Sequence, residues 1–258
     1  MIISRGRAYV FVHIPKTGGT ALSLALEARA MRDDIILGDT PKARARARRQ
    51  KSLRAAGRLR KHSTLADIDG LVTPEELAAM FVVTLVRNPW DRLVSYYHWL
   101  RGQRFDHPAV ALAGRLEFSG FLHHPQTQAS FRAWPYGAWL RDRDGVERCD
   151  AWVRLEHLAE DLAPFERHLG FALNMGRENV SERARDWRGY YSDADAALVA
   201  RLCAADIARF GYRFDPETAG GAAAAGASPR TPGVFEPERN PSPAPDCGCG
   251  GRGSGCSG

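Results

Sequence analysis

Ala8-Tyr-Val-Phe-Val-His-Ile14 runs into Pro15-Lys-Thr-Gly-Gly-Thr20 and then into Ala21-Leu-Ser-Leu-Ala-Leu-Glu27, and this stretch decides the fold. The first segment is apolar, β-branched and aromatic, and too short for a helix, so it reads as a buried strand. The last is rich in Ala and Leu, both strong helix formers. A glycine loop between a strand and a helix aims several backbone N–H groups at one point, at the positive end of the helix dipole. Lys16 adds a full positive charge, and Thr17 and Thr20 add hydroxyls, so the loop reads as a site for a doubly charged phosphate. It does not have the nucleoside triphosphate form G-x-x-x-x-G-K-[ST]. Lys16 precedes Gly18 and Gly19, and Ile14 or Pro15 stands where the leading glycine would be.

Outward from the loop, the same alternation repeats. Residues 80 to 86 form a second continuous apolar run, as a central parallel strand requires. Asn88, Pro89 and Asp91 then carry the marks of a helix start, and that helix extends to about Leu100. Residues 151 to 155 read as a third strand, and 157 to 169 and 193 to 210 as amphipathic helices. Strands alternating with helices predict an α/β domain, a P-loop-like central parallel sheet with helices on both faces. Arg87 stands at the carboxyl end of the second strand and Ser95 two turns into the next helix. Ligands of open α/β sheets bind at that end, so the two loops can share one pocket.

At these residues the sequence resembles the sulfotransferases that use 3′-phosphoadenosine 5′-phosphosulfate (PAPS), specifically the family that includes carbohydrate O-sulfotransferases and their bacterial relatives. His13 through Thr20 is similar to that family's 5′-phosphosulfate loop, and Arg87 with Ser95 to its 3′-phosphate pair. Residues 152 to 170, 179 to 191 and 206 to 212 resemble its later segments, so the likeness covers roughly residues 8 to 214. The resemblance implies the sulfotransferase fold and in-line transfer of a sulfuryl group from PAPS to an acceptor hydroxyl. Lys16 would stabilise charge on the bridging and leaving oxygens. Thr17, Gly18, Gly19, Thr20 and Ala21 would hold the 5′-phosphate, and Arg87 and Ser95 the 3′-phosphate. No metal is expected.

An acceptor hydroxyl needs a base poised near neutrality, for which histidine is suited. His62 is the choice, because Lys61 through Ile68 resembles the family segment that carries a histidine ahead of the second motif. His98, one turn beyond Ser95, is the runner-up, and Glu117 or Glu156 stays open. Arg185 or Arg188 would close over the 3′-phosphate. Trp134, Tyr136 and Trp139 fall where acceptor contacts are expected, either stacking on sugar faces or packing in the core.

The bulk composition agrees with an ordinary globular chain. Of 258 residues, 44% are hydrophobic and 26% charged, and no apolar run approaches the ~20 residues of a membrane span. With no leader read at the start, the expected location is cytoplasmic. Cys149 and Cys203 lie in the folded part and Cys247, Cys249 and Cys256 in a Gly-rich end, so no disulfide framework is implied. The domain is expected over 1–215. Residues 216–258, dominated by Gly, Ala, Pro and Ser, read as a disordered tail. The net charge of +6 is one patch: ten Lys/Arg and no acid fall between 42 and 61, and without them the chain holds 26 basic against 30 acidic residues. That run reads as a solvated helix opened by Asp39 or Thr40 before Pro41, as a track for an acidic glycan, or as a nucleic-acid surface. It has no aromatic for stacking, which argues against nucleic acid. The best expectation is a hydroxyl-bearing acceptor, a glycan above all. A catalytically silent adenosine bisphosphate-binding protein and a polyanion-binding module are the alternatives.

Overall fold

The computed structural model describes residues 1–176 and 186–215. The stretch 216–258 with its cysteines, the segment 179 to 181, and Arg185 lie outside the described residues. Strands β1 (Ile2–Ser4), β2 (Tyr9–Val12), β3 (Ile35–Ile36), β4 (Phe81–Val86) and β5 (Ala151–Arg154) form one sheet in the order β3-β1-β2-β4-β5. β2 pairs parallel with β4, Val10 opposite Val82, and β4 parallel with β5, Leu85 opposite Val153. This is the expected parallel centre. β1 is antiparallel to both β2 and β3, a margin that the sequence reading does not name. Its cause is local: only the short turn at residues 5 to 8 separates β1 from β2, and strands joined so closely must run antiparallel.

Alternation along the strands divides the core between two faces. Tyr9, Phe11, Val83, Leu85 and Val153 point one way, against Leu22 and Leu26 of α1 (Gly19–Ala28) and Leu162 and Phe165 of α8 (Leu158–Leu169). Val10, Val12, Val82 and Val86 point the other way. There they meet Leu77 of α3 (Pro74–Ala79), Leu93, Val94 and Tyr97 of α4 (Pro89–Arg101), and Leu198 and Val199 of α9 (Asp193–Leu202). Each fully buried side chain of this kind contributes about 1.5–3 kcal/mol. The sheet is therefore clamped from both sides, and its loops at the carboxyl end of β2 and β4 stand on a rigid base.

α2 (Pro41–Gln50) carries the basic run, and it stops short of Lys61. Thr40, not Asp39, caps it, accepting from the Ala43 N–H at 3.1 Å. Arg46 donates to the carbonyls of Met31 and Asp34 at 2.8 and 2.7 Å, and Arg49 to those of Arg32 and Asp34. Part of the basic run thus satisfies the loop that follows α1. The remainder, Arg54 to Lys61, lies in irregular chain leading to His62. Helices α5 (Pro108–Arg115), α6 (Phe118–His123) and α7 (Pro125–Ala133) fill the middle region. The expected helix over 193–210 is broken at Cys203, where α9 gives way to α10 (Ala204–Phe210). Among the described residues no helix is long and apolar enough to cross a membrane.

Candidate functional site

β2 ends at Val12 and α1 starts at Gly19, so the loop between them lies over the carboxyl end of the parallel strands. Gly18 adopts φ +87° and Lys16 φ +67°. The lysine therefore sits in the left-handed region at a cost of about 1–2 kcal/mol. A Cβ on Gly18 would lie 2.8 Å from Leu155, and one on Gly19 2.4 Å from the buried His13 ring. Both positions need glycine. No side chain caps α1, so the Gly19 and Thr20 N–H groups are left for a ligand or water.

The carbonyl side of the loop is tied down from behind. Thr17 Oγ1 donates to the Ile14 carbonyl at 2.9 Å, Arg92 Nε to that of Pro15 at 3.0 Å, and Arg87 Nη1 to that of Lys16 at 3.4 Å. What the loop has left to present is N–H groups, and that fits a phosphate. Two expected contributions are corrected here. Thr17 is completely buried with its hydroxyl turned inward, so it brings no hydroxyl to an anion. The Ala21 N–H is donated to the Gly18 carbonyl at 3.1 Å, so Ala21 brings no free donor.

Arg87 leaves β4 at the same end of the sheet. Its Nε and Nη2 lie 2.8 and 2.6 Å from Asp91 Oδ2, and Tyr136 Oη donates to its carbonyl at 2.5 Å. Asn88 caps α4 by accepting from the Trp90 N–H at 3.1 Å, with Pro89 in the first turn. Ser95 is buried two turns into α4. Asp91 aims the guanidinium, and a dianionic phosphate there would compete for the same donors.

His62 and Lys16 line one cavity of about 430 Å³. His62 Nδ1 lies 2.7 Å from the His13 carbonyl, and a carbonyl can only accept. The proton is therefore on Nδ1, leaving Nε2 as the basic nitrogen. Burial lowers the His62 pKa to about 4, below the near-neutral value expected of the base, so the ring is neutral throughout the physiological range. Tyr96, Phe131, Trp134 and Trp139 give the same cavity an aromatic wall. Trp134 is 43% exposed and forms part of the rim, whereas Tyr136 is fully buried in the core. Arg60, Thr64, Asp67 and Arg92 supply the polar lining. Arg92 is buried with its guanidinium over the Tyr136, Trp139 and Phe131 rings.

The remaining expected bases are elsewhere. His98 packs edge-on to Tyr97 and Tyr190, Glu117 precedes α6, and neither lines this cavity. Glu156 braces the fold, accepting from the Asn88 N–H at 2.6 Å and from Tyr212 Oη at 3.3 Å. A second cavity of about 360 Å³ opens beside Asn88 and Asp91, with Arg154, Trp187 and Arg188 on its walls. Arg188 pairs there with Asp186 at 2.7 Å.

Sequence reasoning missed Arg92, Tyr96 and Phe131, and it took in Arg60 only as part of the basic run and Asp67 only as part of the segment around His62. Arg92 and Tyr96 share α4 with Ser95, so the helical repeat following Arg87 was the available signal. Phe131 carries none, because its place beside Arg92 in the cavity lining exists only in the folded chain. Among the described residues no group of three or more His, Cys, Asp or Glu is arranged to hold a metal ion.

Comparison with known proteins supplies an independent line. The model described as "Sulfotransferase family" matches residues 1–219. Among solved structures, the crystal structure of mouse sulfotransferase SULT7A1 complexed with PAP matches with a TM-score of 0.41 and 16% identity, over 78% of this chain and 84% of that one. No curated protein matches.

Proposed function

The chain belongs to the sulfotransferase family, and on that premise we propose that it transfers the sulfuryl group of PAPS to a hydroxyl of a carbohydrate acceptor. One observation carries the reading: a lysine from an anion loop and a neutral histidine with a free basic nitrogen line the same cavity. Gly18, Gly19 and Thr20 would hold the 5′-phosphate, and Arg87 with Ser95 the 3′-phosphate. The second cavity, next to Arg87 in the chain, would take the nucleoside. PAPS supplies the sulfuryl group. His62 Nε2 takes the proton from the acceptor hydroxyl as it attacks, and Lys16 offsets the negative charge that gathers on the departing oxygen. The aromatic wall suits the apolar face of a sugar ring, and the polar lining suits its hydroxyls.

Calorimetric titration with adenosine 3′,5′-bisphosphate tests the donor half. Wild type should bind, and Arg87→Ala should bind about 10- to 100-fold more weakly, as expected for lost hydrogen bonds between charged groups. A folded wild-type protein that does not bind refutes the reading. The acceptor half is tested on Trp134→Ala with a neutral and an acidic oligosaccharide. KM for the acceptor should rise about tenfold with kcat nearly unchanged, the signature of lost uniform binding. Equal KM values would remove the rim tryptophan from acceptor recognition.

A further inference from the structure

We propose that Lys61 is a second cation for the 5′-phosphosulfate end of PAPS, held by Asp39 until the co-substrate arrives; this rests on the PAPS reading above. Lys61 Nζ lies 3.5 Å from Thr20 Oγ1. Thr20 belongs to the uncapped first turn of α1, where the loop presents its N–H groups. An anion bound at those groups therefore lies within reach of the Lys61 ammonium.

The present partner of Lys61 is a weak holder. Its Nζ is 2.8 Å from Asp39 Oδ1, but the Asp39 side chain is 62% exposed against 22% for Lys61. A pair open to solvent on its acidic side contributes about 0–1 kcal/mol. A phosphate anchored on backbone amides is a better partner, because its bonds to an ammonium are charge-assisted and shielded from water. The charge count points the same way. The phosphate and sulfuryl groups of the 5′ end each carry one negative charge, whereas the loop itself supplies one cation, Lys16. Arg60 and Arg92 line the cavity beside Lys16, with Arg92 held by the Pro15 carbonyl, and Lys61 is the further cation that reaches the Thr20 side of the loop.

Lys61 also adjoins His62. The groups acting on the His62 ring are the His13 carbonyl that accepts from it, the His13 ring edge-on at 4.9 Å, the Met1 amino group, Lys61 and Asp39, and Lys16, Arg60 and Asp67 line the same cavity. Burial is the main reason the ring resists protonation, and the Lys61 charge adds to it. An anion bound at Lys61 offsets that charge, so His62 becomes a stronger base when the donor is in place.

Calorimetry with two ligands separates this role from a structural tie to Asp39. Adenosine 5′-phosphosulfate lacks the 3′-phosphate, and adenosine 3′,5′-bisphosphate has it. Lys61→Met should weaken both by about tenfold, while Lys61→Arg stays within about threefold of wild type. Arg87→Ala should weaken the bisphosphate far more than adenosine 5′-phosphosulfate, which it touches only through the loop it braces at the Lys16 carbonyl. Asp39→Asn, which frees Lys61, should bind both ligands at least as well as wild type. In steady-state assays the acid limb of kcat/KM should move to higher pH in Lys61→Met, because a positive neighbour of His62 is gone. Unchanged affinity for adenosine 5′-phosphosulfate in a Lys61→Met protein that melts like wild type overturns the proposal and leaves the PAPS reading standing. So does a loss in Asp39→Asn equal to that in Lys61→Met, which marks the pair as structural. A wild type that binds neither ligand refutes the PAPS reading itself.

Discussion

Lys16→Met should remain folded and lose about 10²- to 10³-fold in kcat, the range seen when one preorganised charge-stabilising donor is removed from an active site. The larger figure corresponds to about 4 kcal/mol in the transition state. The fold has far less at stake. The Lys16 ammonium lies 5.4 Å from the centre of the Trp99 ring, a contact contributing about 0.5–1 kcal/mol at an exposed site. Met keeps the length of the stem, and it inherits the same left-handed backbone, so the strain is unchanged. Thermal melts of the two proteins should therefore nearly coincide while their rates differ by orders of magnitude. Adenosine 3′,5′-bisphosphate, which has no sulfuryl group, should lose less affinity than kcat loses rate. A variant with near-normal kcat would show that the loop binds anions without Lys16 taking part in transfer, and the catalytically silent alternative would gain.

That lysine was legible because its chemistry and its backbone coincide in sequence. A strand that is too short to be a helix, two glycines and a strong helix former leave one conformation for the loop, and its function follows from that conformation. The parallel strands β2 and β4 were legible for a similar reason, as continuous apolar runs bounded by helix starts, and β5 as a short segment holding Trp152 and Val153. β1 and β3 were not, since three- and two-residue strands have no periodicity to read. Nor could the sequence show which donors were already committed. Thr17 carries a hydroxyl in any conformation, but only the fold turns it to the Ile14 carbonyl. Arg92 illustrates the same limit. Its position in the helix is plain, yet its hold on the Pro15 carbonyl, 77 residues away in the chain, depends on how α4 packs against the sheet.

The basic run was read too uniformly. Arg46 and Arg49 have backbone carbonyls as partners, whereas Lys61 stands beside Thr20 and next to His62. Like charges in one stretch of sequence thus have different tasks, separated by the point at which α2 ends. Arg and Ala are both strong helix formers throughout 42–50, and the residues after it escape that rule because the chain there is irregular.

His62→Ala carries the second large effect, a fall of about 10²- to 10⁴-fold in kcat with adenosine 3′,5′-bisphosphate affinity nearly unchanged, as expected for loss of a general base. Its pH dependence makes the test specific. Protonation abolishes the base, so activity falls as pH drops through the folded-state pKa, which burial lowers to about 4. Wild-type kcat/KM should therefore be flat from about pH 5.5 to neutrality, with an acid limb centred near the lowered value, and the residual rate of His62→Ala should lack that limb. The same shift governs stability. An unfolded histidine binds its proton near pH 6.5, so between there and the folded value the unfolded chain holds more protons, and acidification favours unfolding. Over that window His62 accounts for about 3 kcal/mol, stability that is present at neutral pH and lost as pH falls. His62→Ala should consequently lose less stability between pH 7 and 4 than wild type, although buried His13, whose pKa is also depressed by burial, keeps some acid sensitivity in both. A rate profile with its acid limb near 6.5, or one that is identical in His62→Ala apart from amplitude, would reassign proton removal to another group.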